Sequence, residues 1–186
     1  IKIVDGVYWV GVNDLETHLF ENLWPLPKGI SYNSYFIKDE KNILIDTVKE
    51  DYFDKFINKV QSLLDNKNLD YLIVNHMEPD HSGSIGILLK MYPQMKIIGN
   101  IHTAKFLKQY YSVPDSSIEV IKDSETLKIG KYDLSFHTTP MVHWPETMMT
   151  YLEKHRLIFT GDAFGAFGSL NGEIFDDELD PSEFYS

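Results

Sequence analysis

Apolar and polar positions alternate in short blocks at the start of the chain. Residues 1–4 and 7–12 flank Asp5-Gly6, and residues 31–37 and 42–46 flank the polar stretch 38–41. Each pair predicts a β-hairpin. Between them, residues 14–29 contain Pro25, Pro27 and Gly29 and read as an irregular loop, longer than a connection requires. The period then changes. Over residues 51–66, Phe53, Phe56, Ile57, Val60, Leu63 and Leu64 recur at three- and four-residue spacing, which predicts a helix with one apolar face. Residues 71–74 and 96–99 read as buried strands. Residues 85–91 and 102–111 read as helices, the first with Ser82 or Ser84 as N-cap. Beyond them, residues 118–122, 126–129, 132–137, 147–153 and 157–160 are short β runs divided by turn residues, an antiparallel meander. The pattern predicts an α/β protein with a mixed sheet. Residues 169–186, rich in acids, read as a loop or arm.

Composition narrows the function. The chain has 186 residues, enough for one domain and little more. Its net charge of −11, without any Lys/Arg run, argues against binding to nucleic-acid backbones. The apolar runs are too short for a bilayer, which needs about 20 residues, and no signal segment opens the chain. There is no cysteine. That removes disulfides, thiolate metal sites and cysteine nucleophiles, and fits a cytoplasmic setting. Any metal must be held by His, Asp and Glu.

Candidate chemistry gathers in strand-end segments. In Asn75-His76-Met77-Glu78-Pro79-Asp80-His81-Ser82-Gly83, four potential ligands sit within six residues after an apolar strand. Pro79 disfavours helix at Glu78, so a tight loop is expected to turn the four side chains together. His143 lies between Pro140 and Pro145 in a second such loop, and Asp162 follows a third apolar run among small residues. His18 in the irregular loop is a weaker candidate. Alone, each has a plain structural reading as a packed histidine or a turn carboxylate. Three strand ends carrying His or Asp for no shared reason is a poor joint explanation. Met77, Trp144, Phe164 and Phe167 read as pocket wall or core.

The pattern His-x-Glu-x-Asp-His (residues 76–81), a later single His143 and a strand-end Asp162 resembles the metallo-β-lactamase superfamily. Glu78 stands where its hydrolase branch usually has His. With Ser31-Tyr32-Asn33-Ser34-Tyr35, His143-Trp144-Pro145-Glu146-Thr147-Met148 and Gly161-Asp162-Ala163-Phe164-Gly165, it looks like the diiron domain of flavodiiron proteins. The resemblance implies an αββα sandwich, incomplete in this chain, with residues 1–186 as the N-terminal part of the domain. It implies two iron ions: one held by His76, Glu78 and His143, the other by Asp80 and His81, with Asp162 bridging. His18 would have a pocket role near the metals. The charge balances: three carboxylates, two divalent ions and a bridging hydroxide sum to zero. Carboxylate in place of imidazole also shifts preference from zinc towards iron or manganese.

The resemblance implies more than this sequence contains. The family supplies a further His to the second iron, and no His follows His155 here. It also carries a flavodoxin-like domain whose FMN feeds the irons, with subunits arranged as a head-to-tail homodimer. A truncated product, or a protein whose remainder is a second chain, is therefore expected. The implied activity is reduction of O₂ to water or of NO to N₂O, with a redox donor such as rubredoxin or a flavin reductase. An O₂-binding diiron sensor without turnover and a zinc hydrolase of the β-lactamase type are the alternatives.

Overall fold

The structure, a computed structural model, describes residues 1–169 and 174–178. The chain divides into two compact units: residues 1–12 with 32–165, and residues 13–31 with 166–186.

The first unit begins with the predicted hairpin, β1 (Lys2–Val4) against β2 (Val7–Trp9). Gly6 makes its turn at φ +77°, and any side chain there would run into the Tyr132 hydroxyl. Two short strands, β3 (Val12–Asp14) and β6 (Ile30–Tyr32), pair as a ribbon at the exit to and return from the second unit. The predicted strand 31–37 is thus broken into β6 and β7 (Tyr35–Ile37). The Ser34 hydroxyl turns inward there, donating to the Asp46 carbonyl. β7 and β8 (Ile43–Ile45) form the second hairpin.

Three βαβ units follow. Helix α1 (Phe53–Leu64) buries Phe56, Ile57, Val60 and Leu64 of the predicted stripe, leaves its Phe53 and Leu63 half-buried, and ends at Asp65 in the left-handed conformation. Then come β9 (Tyr71–Ile73), the single turn α2 (Pro79–Ser82), α3 (Ile85–Met91), β10 (Lys96–Gly99), α4 (Ile101–Tyr111) and β11 (Ile118–Val120). Asn100 caps α4, its side chain accepting from the His102 and Thr103 N–H groups. Ser84 occupies the N-cap position of α3 without capping it; its hydroxyl donates to the Val48 carbonyl instead.

β1, β2, β7, β8, β9, β10 and β11 make one seven-stranded sheet, parallel from β8 to β11 and antiparallel before it. Four of the five runs expected as a meander are β12 (Thr126–Ile129), β13 (Tyr132–Thr138), β14 (Met148–Leu152) and β15 (Leu157–Phe159), a separate four-stranded antiparallel sheet. The first run, residues 118–122, is instead β11, which follows α4 and so returns parallel to β10 at the edge of the large sheet. One core lies between the sheets: Val7, Ile37, Ile43, Ile45, Ile73 and Ile98 from the first meet Leu134, Phe136, Met148, Leu152 and Phe159 from the second. The alternate residues Phe36, Leu44, Leu72 and Ile97 are also wholly buried. They face the other way, and right-handed crossovers put α1, α3 and α4 on one face of the sheet to cover them. The order is helix, sheet, sheet, and all four helices lie in the parallel half of the chain among the described residues. None of these helices is long and apolar enough to cross a membrane.

The second unit holds a miniature hairpin, β4 (Leu19–Phe20) with β5 (Trp24–Pro25), within the predicted irregular loop. Asp14 is fully buried, and its carboxylate accepts from Glu16 and Thr17. Phe20 packs on Phe167 at 5.3 Å, and the Ser169 N–H donates to the Lys28 carbonyl. The expected acidic arm lies largely outside the described residues; within 174–178 there is one 3₁₀ turn, Asp176–Glu178.

Candidate metal centre

The site assembles where strands end. β8 and β9 are parallel neighbours, so their C-terminal ends deliver Asp46 and the 75–81 segment side by side. The expected tight loop is in part helical. Glu78 is extended (φ −61°, ψ 146°), as a residue before proline should be, and Pro79 opens the single-turn helix α2 at its first position. That break turns His76 and Glu78 out of the extended stretch and Asp80 and His81 out of the turn.

Asn75 fixes this segment to the second sheet. Fully buried, it accepts from the Thr150 hydroxyl at 2.7 Å, donates to the Phe159 carbonyl at 3.2 Å, and its own carbonyl accepts from Met148 N–H at 3.0 Å. The loop between β13 and β14 brings His143 and Glu146, and the turn after β15 brings Asp162.

Two groups of potential ligands result: His76, Glu78, His143 and Asp162; and Asp80, His81 and Asp162. In the first, Glu78 Oε2 is 3.2 Å from His76 Nε2 and 2.8 Å from His143 Nε2. The two imidazole nitrogens are 3.2 Å apart, and Asp162 Oδ2 lies 3.5 Å from His76 and 3.3 Å from His143. Metal–ligand bonds of about 2.0–2.2 Å separate adjacent ligand atoms by about 3.0 Å at octahedral angles and about 3.4 Å at tetrahedral ones. The observed spacings match a shell around one small cation. In the second group, His81 Nε2 is 2.6 Å from Asp162 Oδ1 and 3.7 Å from Asp80 Oδ2. The two oxygens of Asp162 thus face different groups.

Charge and hydrogen bonding point the same way. Burial disfavours a charged His76, but the Glu146 and Glu78 carboxylates outweigh it and push His76 up to about 9. His81 is raised well above its usual value by Asp80, Asp162 and Asp46, again against burial. Glu78 is lowered by His76 and His143, and Asp162 by His81, both overcoming desolvation. Asp80 goes the other way: burial pushes it up to about 6, and its Oδ1 is buried without a hydrogen-bond partner. Protons on imidazoles are standing in for positive charge the site requires, and Asp80 is left without enough of it. Histidine, Asp and Glu together fit hard or borderline divalent cations.

The histidines are held from behind. Glu146 Oε1 lies 2.8 Å from His76 Nδ1 and accepts the Met77 N–H at 2.8 Å; its side chain is fully buried. Asp46 Oδ1 accepts the Asn75 N–H at 2.7 Å, and its Oδ2 is 3.5 Å from His81 Nδ1. The carboxylate behind His76 sets the tautomer that turns its Nε2 to a metal, whereas His81 Nδ1 is buried beside Asp46 without a hydrogen bond. The cluster is open on one side, where the side chains of His143 and Asp162 are 54% and 37% exposed.

All six residues expected as ligands therefore meet. His18 belongs to the second unit and to neither ligand group; it is exposed, and its carbonyl accepts from Leu26 N–H. Sequence reasoning gave Asp46 and Glu146 no role. Asp46 had the same signal as Asp162, an acid directly after an apolar strand, and Glu146 shares the loop of His143. Met77 is buried as expected and Trp144 half-buried, its ring 5.4 Å from that of His76. Phe164 and Phe167 are not core: they are 93% and 53% exposed. Both follow Gly161-Asp162, where the chain has left β15 and no strand turns alternate residues inward.

The chain belongs to the family described as ODP family beta lactamase, whose model matches residues 30–182. Within it, the matching region is the β-lactamase-like diiron domain of flavodiiron proteins. The chain is 39% identical over 166 residues to flavo-diiron protein FprA2 of Clostridium acetobutylicum, covering 89% of this chain and 42% of that one. It is 35% identical to the anaerobic nitric oxide reductase flavorubredoxin of Salmonella arizonae, covering 100% and 39%. The rubredoxin oxygen:oxidoreductase of Desulfovibrio gigas superposes with a TM-score of 0.92 at 32% identity, over 98% of this chain and 45% of that one. The fold is thus metallo-β-lactamase-like, and the chain spans less than half the length of each of these three relatives.

Proposed function

We propose that this chain is the metal-binding part of a diiron oxidoreductase that reduces O₂ to water or NO to N₂O. The observation that carries the reading is Asp162, one oxygen turned to His76, Glu78 and His143 and the other to His81 and Asp80. His76, Glu78 and His143 would hold one iron, Asp80 and His81 the second, and Asp162 would bridge them. Two ferrous ions would supply two electrons and two adjacent positions for a diatomic molecule.

The chain's own residues do the rest. Glu146 keeps the His76 proton on Nδ1 and so leaves Nε2 free to ligate. Three carboxylates keep the filled site near neutrality, which a buried site requires. The open side beside His143 and Asp162 admits a small substrate, and Met77 and Trp144 wall the site with apolar surface. His18 is assigned to orienting or protonating the substrate on the family resemblance.

Residues 1–186 are read as the N-terminal part of the diiron domain. A further His for the second iron, and FMN on a flavodoxin-like domain, would come from outside these residues. A head-to-tail homodimer, a rubredoxin or flavin-reductase donor and a cytoplasmic setting belong to the same reading. The test is anaerobic loading with ferrous iron, metal stoichiometry, and then O₂ or NO consumption with a reduced flavin donor. Two irons per chain and turnover are expected. Zinc retained in preference to iron, or iron that reacts with neither gas, refutes the proposal.

A further inference from the structure

A row of aromatic rings leads from the metal ligands to the protein surface. The Trp144 ring stands edge-on to His76 (5.4 Å between centroids, 87°) and to His143 (6.3 Å, 73°). Phe106 also meets the Trp144 ring, at 6.2 Å and 83°. Phe106 stacks on Tyr110 at 5.5 Å and 17°, one turn along α4, and Tyr110 is 56% exposed. Every step lies within the usual range of aromatic contact. The row joins an oxidisable phenol in water to an oxidisable indole against two of the proposed iron ligands.

We propose that Trp144, Phe106 and Tyr110 form a path that carries single electrons from the α4 surface to the metal cluster, resting on the diiron reading above. It would act when O₂ has left an oxidising equivalent at the irons and the normal donor has not delivered. One electron passes from the Trp144 indole to the cluster, and one from the Tyr110 phenol refills Trp144. The phenolic proton goes to water, which the exposed ring reaches. In sum the cluster gains one electron, and Tyr110 loses one electron and one proton to become a neutral phenoxyl radical. A dissolved one-electron reductant such as ascorbate then returns the electron, and water the proton. Phe106 is too hard to oxidise to hold a charge; its ring fills the gap between donor and acceptor with packed matter instead of water. The path ends at an outward-facing phenol, so damage is discharged away from the ligands.

Two measurements test it. In metal-free protein carrying Trp24→Phe, pulse radiolysis with azide radicals oxidises tryptophan. The indolyl signal is expected to decay into a tyrosyl signal at a rate independent of protein concentration. Tyr110→Phe, a surface change that leaves α4 intact, should abolish that transfer, as should Trp144→Phe. In iron-loaded protein exposed to O₂ without donor, electron paramagnetic resonance should show a tyrosyl radical that Tyr110→Phe removes while iron content stays the same. A tyrosyl yield unchanged by Tyr110→Phe in either experiment, or a radical assigned to Tyr35 beside Phe159, overturns the path. Iron content and O₂ consumption report on the diiron reading separately. The radiolysis result judges the aromatic path even if no iron binds.

Discussion

Glu146 is the residue whose removal should tell most about the site. Its Oε1 takes both the His76 Nδ1–H and the Met77 N–H at 2.8 Å in a fully buried position. Glu146→Ala leaves both donors buried without an acceptor. Each such loss costs about 1–3 kcal/mol, so the pair amounts to roughly 2–6 kcal/mol, against a total stability of about 5–15 kcal/mol for a typical domain. Thermal unfolding should therefore fall markedly. Glu146→Gln separates geometry from charge. An amide oxygen still accepts both bonds, so the fold should survive, but the larger of the carboxylate contributions that lift His76 to about 9 is gone, leaving Glu78. The His76 value should drop towards the ordinary imidazole range, and metal affinity should fall by about 10–100-fold, as when a carboxylate behind a ligating histidine is lost. Competitive metal titration, imidazole nitrogen resonances and calorimetric melting would read these quantities. If Glu146→Ala melts where the parent does and both variants bind metal as tightly, Glu146 does not position His76 and the argument fails.

Other expectations follow from the same geometry. Asp162→Ala removes the carboxylate shared by both ligand groups, and metal content by plasma emission should fall from two ions to one or none; two retained ions would exclude a bridge. Metal uptake should release protons. His76 must be neutral to ligate but keeps its proton up to about 9, so affinity rises with pH through neutrality and levels off above that value. Asp80, at about 6, adds a second proton on the acid side. A pH-indicator titration in weak buffer showing no release near pH 7.5 would contradict this. Gly83→Ala would put a Cβ 2.6 Å from the Pro79 carbonyl and 2.9 Å from Glu50 N, both backbone atoms. The turn holding Asp80 and His81 must shift, so metal affinity should drop even if the protein remains folded. Phe36→Ala, in the wholly buried face of the large sheet, should cost about 3–5 kcal/mol in denaturant unfolding without altering metal stoichiometry in the folded protein.

Much of this molecule is legible from its sequence, because local pattern and tertiary demand agree in most elements. The stripe from Phe56 to Leu64 could bury only as a helix, and the meander from Thr126 to Phe159 carries turn residues at each reversal. The broken strand at Asn33-Ser34 was illegible for a physical reason: residues 31–37 satisfy the β pattern throughout. The break serves two long-range partners, β3 for one half and β2 with β8 for the other. Pro79 gave opposite signals, forbidding helix at Glu78 and favouring it from its own position on, and the expectation of a loop weighed only the first. The ligands could be picked out because six unusual residues cluster at three strand ends. Asp46 and Glu146 could not, since an acid that holds a histidine from behind looks in sequence like any turn carboxylate until the histidine is seen beside it.

Asn75 binds the end of β9 to both Thr150 and Phe159 across the core, so the ligands are divided between two sheets that must first close on each other. No partly folded chain holds more than a fraction of the set. His76 to His81 alone, without His143 and Asp162, is an open half-shell. Under the proposed function, metal chemistry would be withheld until folding has finished, and an ion bound across the seam would rivet shut the two layers that had to meet in order to receive it.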